Sequence, residues 1–111
     1  MNNYMGYKEM LKNYPDIPVI LWGIGNCYSA YKEYIRQCIS VDYIHDKKWE
    51  DSVVTQYDGY TVISLKEMSK VGRCAIITCL WDEDTEKEIN NEIFENIPDA
   101  LYIQVKGFEH H

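Results

Sequence analysis

Val19-Ile20-Leu21-Trp22-Gly23-Ile24-Gly25-Asn26 is the stretch from which the rest of the chain is read. Four apolar residues in a row, with no polar alternation, suit a strand covered on both faces. Two glycines one residue apart then suit a tight turn, and Asn26 suits the N-cap of a helix. The helix spans about Asn26 to Cys38. Cys27, Ala30, Tyr31, Tyr34, Ile35 and Cys38 recur at the helical period, while Lys32, Glu33, Arg36 and Gln37 fall elsewhere.

Upstream, Tyr7, Met10, Leu11 and Tyr14 share one side of a helix, which Pro15-Asp16-Ile17-Pro18 stops. Downstream, Ser40 to His45 reads as a second strand ending in Asp46. The polar segment Lys47 to Gly59 reads as a loop with room for a short turn or strand at Ser52 to Thr55. Tyr60 to Ile63 is the third strand. Ser64-Leu65-Lys66-Glu67 has capping-box spacing, and Gly72 suits the end of the short helix that follows. Cys74 to Leu80 is a second run apolar on both faces. Asp82 to Asn96 is a helix whose acidic first turn matches the positive end of its dipole. Leu101 to Val105 closes the series as a fifth strand.

Strands alternating with helices over short crossovers predict a parallel sheet with helices on both faces. The expected fold is a three-layer α/β sandwich of about five strands in the order 3-2-1-4-5. Residues 1–108 form the expected single domain, with residues 1–16 as its amino-terminal helix and turn. Glu109-His110-His111 looks like the start of a purification tag, so those histidines are set aside from metal reasoning. A tag there makes the chain a candidate piece of a longer protein, with the catalysis in the missing part.

Composition narrows the function classes. A chain of 111 residues that is 46% hydrophobic can bury a core. Its formal charge of −7 disfavours nucleic acid and anionic membrane as partners, since both need a positive surface. No apolar run reaches membrane-spanning length and no signal peptide is visible, so a cytoplasmic protein is expected. Cys27, Cys38, Cys74 and Cys79 include no C-x-x-C pair and read as reduced thiols.

The chemistry-bearing feature is the turn. A strand, Gly23-Ile24-Gly25 and a helix open a dinucleotide-binding βαβ unit: one glycine allows the turn, the next lets backbone approach a pyrophosphate, and helix amides face the anion. The third glycine of that pattern is replaced by Tyr28. Tyr28 either covers a ligand or fills the space a ligand needs. Asp46 lies 23 residues after Gly23, close to the roughly 20 expected of a ribose partner. It reads equally as a residue that ends a strand and caps a loop.

Ile20 to Asn26, Val41-Asp42-Tyr43-Ile44-His45-Asp46, Gly59 to Ser64 and Ala75-Ile76-Ile77-Thr78, in that order, resemble the small Rossmann-like domains of bacterial surface-polysaccharide enzymes. Such domains stand at the amino end of sugar acyltransferases and beside glycosyltransferase-type domains. The resemblance covers about residues 18 to 105 and implies a nucleotide or nucleotide-sugar site near Gly23, Gly25 and Asp46. It supplies no catalytic base, since transfer chemistry in those families lies in another domain.

The expected binding set is Gly23, Ile24, Gly25 and Asn26 on phosphate, Asp46 on ribose, and Tyr28 or Trp81 lining the pocket. A nucleotide-sugar and NAD are the candidate ligands, and a second domain of the parent protein or a homodimer the candidate protein partner. Whether the chain is an enzyme is left open by the residues. His45, at a strand end, is a candidate general base, and otherwise a loop-bonding histidine. Cys79 is a candidate nucleophile, but its sequence neighbours are apolar or acidic rather than cationic. The run Asp82 to Glu86 lacks the spacing of a calcium loop, so no metal site is expected. A scaffold or interaction domain that keeps the fold without a ligand is the alternative function, supported by Tyr28 and the ten tyrosines.

Overall fold

The computed structural model describes residues 7–50, 53–80 and 82–104. The elements are α1 (Tyr7–Asn13), β1 (Val19–Trp22), α2 (Asn26–Cys38), β2 (Tyr43–His45), a 3-10 turn (Lys47–Trp49), β3 (Gln56–Tyr57), β4 (Tyr60–Val62), α3 (Leu65–Val71), β5 (Ala75–Thr78), α4 (Glu83–Asn96) and β6 (Leu101–Gln104). The sheet has six strands in the order β3-β4-β2-β1-β5-β6. All pairings are parallel except β3 with β4.

This order corrects the expected all-parallel 3-2-1-4-5. An antiparallel edge strand has been added from a segment read as loop. Its cause is local. Asp58-Gly59 forms a two-residue hairpin turn with both residues at positive φ, 55° and 87°, the geometry that matches the twist of a β-ribbon. Gln56 then pairs Thr61, and Tyr57 pairs Tyr60. The strand lies one residue beyond the Ser52 to Thr55 window allowed for it.

Alternation along the strands divides the core between the two faces of the sheet. Val19, Leu21, Ile44, Ala75, Ile77 and Leu101 pack with Met10 of α1 and with Cys27, Tyr28 and Ile35 of α2. Ile20, Trp22, Ile76 and Tyr102 face the other way, onto Met68 of α3 and Ile89 and Ile93 of α4. This is the physical reason β1 and β5 carry no polar residue except Thr78, whose Oγ1 donates to the Tyr102 hydroxyl at 3.2 Å. Each fully buried Ile or Leu contributes about 2 kcal/mol by leaving water.

The helix ends follow their sequence signals with one exception. Ser64 and Glu67 complete the capping box, and Gly72 stands at φ 87° after α3. Asp82 caps α4, accepting from the amides of Asp84 and Thr85. At α2 the cap is Gly25 rather than Asn26, which is already helical. The buried side of α2 is also turned from the expected one. Cys27, Tyr28 and Ile35 are buried, while Ala30, Tyr34 and Cys38 are exposed. A buried tyrosine needs a partner for its hydroxyl, and Tyr28 finds one in Asp58 at 2.5 Å. Among the described residues, no helix is long and apolar enough to cross a membrane. The expected tag at residues 109–111 lies outside the described residues.

Candidate functional site

β1 lies between β2 and β5, and the chain leaves it over one face through α2 and reaches β5 over the other through α3. Strand order therefore reverses at β1, and the turn after its carboxyl end sits where open α/β sheets bind ligands.

Each residue of that turn is held by a specific contact. Gly23 has φ 109°, and a Cβ there would lie 2.7 Å from the carbonyl oxygen of Cys79. Its amide donates to the His45 carbonyl at 2.9 Å. The first glycine thus serves a close approach between the ends of β1 and β5. Ile24 is buried, and its peptide is gripped on both sides. Its amide donates to Asp46 Oδ2 at 2.7 Å, and its carbonyl accepts from Lys48 Nζ at 2.6 Å. Gly25 is the contrast: exposed, with no atom of the described residues within 4 Å of a Cβ built upon it. It begins α2 without a side-chain cap, and its carbonyl receives the Ser29 amide at 3.0 Å. Asn26 is exposed beside it.

Asp46 uses both carboxylate oxygens within the protein. Oδ1 accepts from the Lys48 amide at 3.0 Å, starting the 3-10 turn, while Oδ2 holds Ile24. Lys48 then lies with its ammonium 5.2 Å from the Trp49 ring centre. The sequence offered no periodic or motif signal for Lys48, because its partner is 24 residues away in the chain.

Tyr28, in the third-glycine position, packs into the α1–α2 side of the core. Its hydroxyl meets Asp58, which also pairs Lys32 Nζ at 3.1 Å and Arg36 Nη2 at 2.9 Å. This clasp ties the β3–β4 hairpin to α2. The Tyr28 hydroxyl and the two cations hold the Asp58 carboxyl down at about 2. Burial, then Asp58, push the Tyr28 phenol above its ordinary value.

His45 is buried among acceptors and apolar groups. Nδ1 lies 2.7 Å from the Ile63 carbonyl, Nε2 lies 3.3 Å from Glu50 Oε2, and the ring meets Trp22 edge-on at 4.5 Å. The Nδ1 contact requires that nitrogen to carry its hydrogen. Cys79 is buried, and the Cys27 thiol and burial push its own thiol above the ordinary range. The indole Nε1 of Trp22 is buried with no hydrogen-bond partner among the described residues. Trp81 lies outside the described residues.

The turn therefore brings together Gly23, Ile24, Gly25, Asp46 and Lys48 and leaves Tyr28 facing the core. The acidic start of α4 is ordered on itself: Asp82 Oδ2 takes the Thr85 hydroxyl at 2.5 Å, which lowers the Asp82 carboxyl below its usual range. Elsewhere, a hollow of about 190 Å³ is lined by Trp49, Val53, Val54, Ile63 and Glu67. Val53, part of that lining, is 95% exposed.

No protein-family model matches the chain, and no curated protein matches it.

Proposed function

We propose that this chain is a Rossmann-like binding domain for a nucleotide or nucleotide-sugar, serving a larger bacterial polysaccharide-biosynthesis transferase. The observation that carries the reading is Gly25. It is exposed and, among the described residues, uncapped by any side chain and free of neighbours above its Cα, at the start of α2 and at the reversal of strand order. First-turn amides of a 13-residue helix and the Lys48 ammonium at the same turn suit one phosphate. In this reading the phosphate sits over Gly25 and Asn26. Asp46 already holds the Ile24 and Lys48 amides, one on each oxygen, and its remaining lone pairs are the ones a ribose hydroxyl would use.

Thermal shift and calorimetric titration with NAD, UDP-sugars, CDP-sugars and S-adenosylmethionine test the proposal. One of these compounds at millimolar concentration raises Tm, and Gly25→Asp removes the effect by placing a carboxylate over the helix start. No stabilisation by any of them sinks it.

The second reading is a scaffold domain that keeps the fold without the ligand. What favours it is that Gly23 and Asp46 are both occupied with contacts inside the protein. The exposed Val53, Val54 and Tyr57 suit a protein interface.

A further inference from the structure

Asp58-Gly59 is the one Asp-Gly pair in the sequence. That pairing carries a chemistry of its own. The backbone nitrogen of the next residue can attack an aspartyl carboxyl, and a glycine there leaves that nitrogen unshielded by any side chain. Gly59 is exposed, and no atom of the described residues lies within 4 Å of a Cβ built on it. What Asp58 touches sets it apart from a free turn residue. Its Oδ2 accepts the Tyr28 hydroxyl at 2.5 Å and lies 3.1 Å from Lys32 Nζ. Its Oδ1 lies 2.9 Å from Arg36 Nη2, which also donates to the Asp58 carbonyl at 2.9 Å. All three partners belong to α2. The Arg36 guanidinium in turn lies 5.6 Å from the ring centre of Tyr60, the residue after the turn. We propose that Asp58-Gly59 is an isoaspartate-forming site that these α2 side chains keep silent in the folded protein.

The Gly59 nitrogen attacks Asp58 Cγ and gives up its hydrogen. The bond from Cγ to its hydroxyl breaks, and hydroxyl and hydrogen leave together as one water. The product is a cyclic succinimide. A water then opens the ring. Addition at Cγ restores aspartate. Addition at the Asp58 carbonyl carbon breaks the bond from that carbon to nitrogen and leaves the chain running through Cβ and Cγ, as isoaspartate. One water leaves, one returns, and nothing is oxidised. The first step needs a protonated carboxyl, because an ionised carboxylate is a poor electrophile and would have to expel oxide. The two cations favour the ionised form, and the contacts to α2 restrain the side chain. The carboxyl, lowered from 3.8 to about 2 by its partners, carries a proton more than about tenfold less often at neutral pH. Isoaspartate puts one more carbon into the backbone at the hairpin turn and moves the carboxylate onto Cα. The change is therefore one way: a chain that isomerises loses the contacts that had prevented it.

The test incubates the folded protein and the same protein in guanidinium chloride side by side, at neutral pH and below Tm. Each is then digested with an endoprotease that cuts before aspartate but not before isoaspartate, and the peptides spanning Asp58 are quantified by mass spectrometry. Isoaspartate at position 58 is expected to accumulate at least about tenfold more slowly in the folded protein. Lys32→Ala combined with Arg36→Ala alters two side chains that are each 40% exposed. It should bring the folded rate most of the way to the denatured one, with circular dichroism showing the fold retained. If that double variant unfolds, Arg36→Gln alone removes one ion pair and should give an intermediate rate. The proposal is overturned if the folded and denatured wild-type chains isomerise equally fast, or if a folded variant stays as slow as wild type. No ligand enters the experiment, so its outcome is independent of the nucleotide reading.

Discussion

Asp46 Oδ2 accepts the backbone amide of Ile24 at 2.7 Å, so the carboxylate at the end of β2 shapes the turn at the end of β1. Lys48 closes the same peptide from the other side at 2.6 Å. Removing the carboxylate frees the Ile24 and Lys48 amides together. We expect Asp46→Ala to cost about 2 kcal/mol in urea unfolding with no ligand present. A residue that served only a ribose would leave ligand-free stability unchanged, and that result would count against the structural role.

The two glycines of the turn should respond in opposite directions. Gly23→Ala meets both the positive φ and the Cys79 carbonyl, and we expect a loss of about 2–3 kcal/mol. Gly25→Asp meets open space and supplies the missing cap, with a gain of about 0.5 kcal/mol. Paired Tm measurements on the two variants read the contrast. Equal losses would show that Gly25 is also needed by the backbone.

The Tyr28–Asp58 pair predicts a stability profile with two limbs. Asp58 is lowered from an ordinary 3.8 to about 2 in the fold, so its contribution is present above about pH 4 and is lost as pH falls through about 2. Tyr28 is raised above an ordinary 10.0, so its contribution is present below about pH 10 and is lost as pH rises beyond it. Asp58→Asn should flatten the acid limb. Tyr28→Phe should flatten the alkaline limb and cost about 1 kcal/mol at neutral pH for the lost hydrogen bond. Tm followed from acid to alkaline pH in the three proteins checks both signs.

His45 is bound to Ile63, Glu50 and Trp22 rather than left open to a substrate. We expect His45→Ala to destabilise the fold by about 3 kcal/mol through the cavity and the unpaired Ile63 carbonyl. Denaturant unfolding measures it. A change within about 0.5 kcal/mol, the range of an ordinary surface substitution, would contradict the core role assigned here.

Much of the fold was legible because its signals are local. The apolar runs at Val19 to Trp22 and Ala75 to Thr78 are short, continuous and flanked by turns, and both became strands buried on two faces. Ser64 and Glu67 bond each other across three residues. The sequence reads as loop at β3 because Gln56 and Tyr57 are exposed and carry no apolar pattern. Only the Asp58-Gly59 turn brings them to β4. The buried side of α2 was misplaced for a related reason. Helical period puts Tyr34 on the buried face and leaves Tyr28 off it, whereas in the fold Tyr28 is buried and bonded to Asp58, 30 residues away, and Tyr34 is exposed.

The candidate site was legible in its positions and not in its contacts. Gly23, Gly25 and Asp46 do gather at the end of β1. The sequence by itself determined the alternation of strands and helices, the two-faced burial of β1 and β5, and the glycine turn between them. These depend on period and on neighbours within one helical turn. Only the tertiary structure decided that Asp46 grips Ile24 and that Tyr28 turns to Asp58. Those contacts join residues far apart in the chain, where geometry rather than local pattern selects the partner.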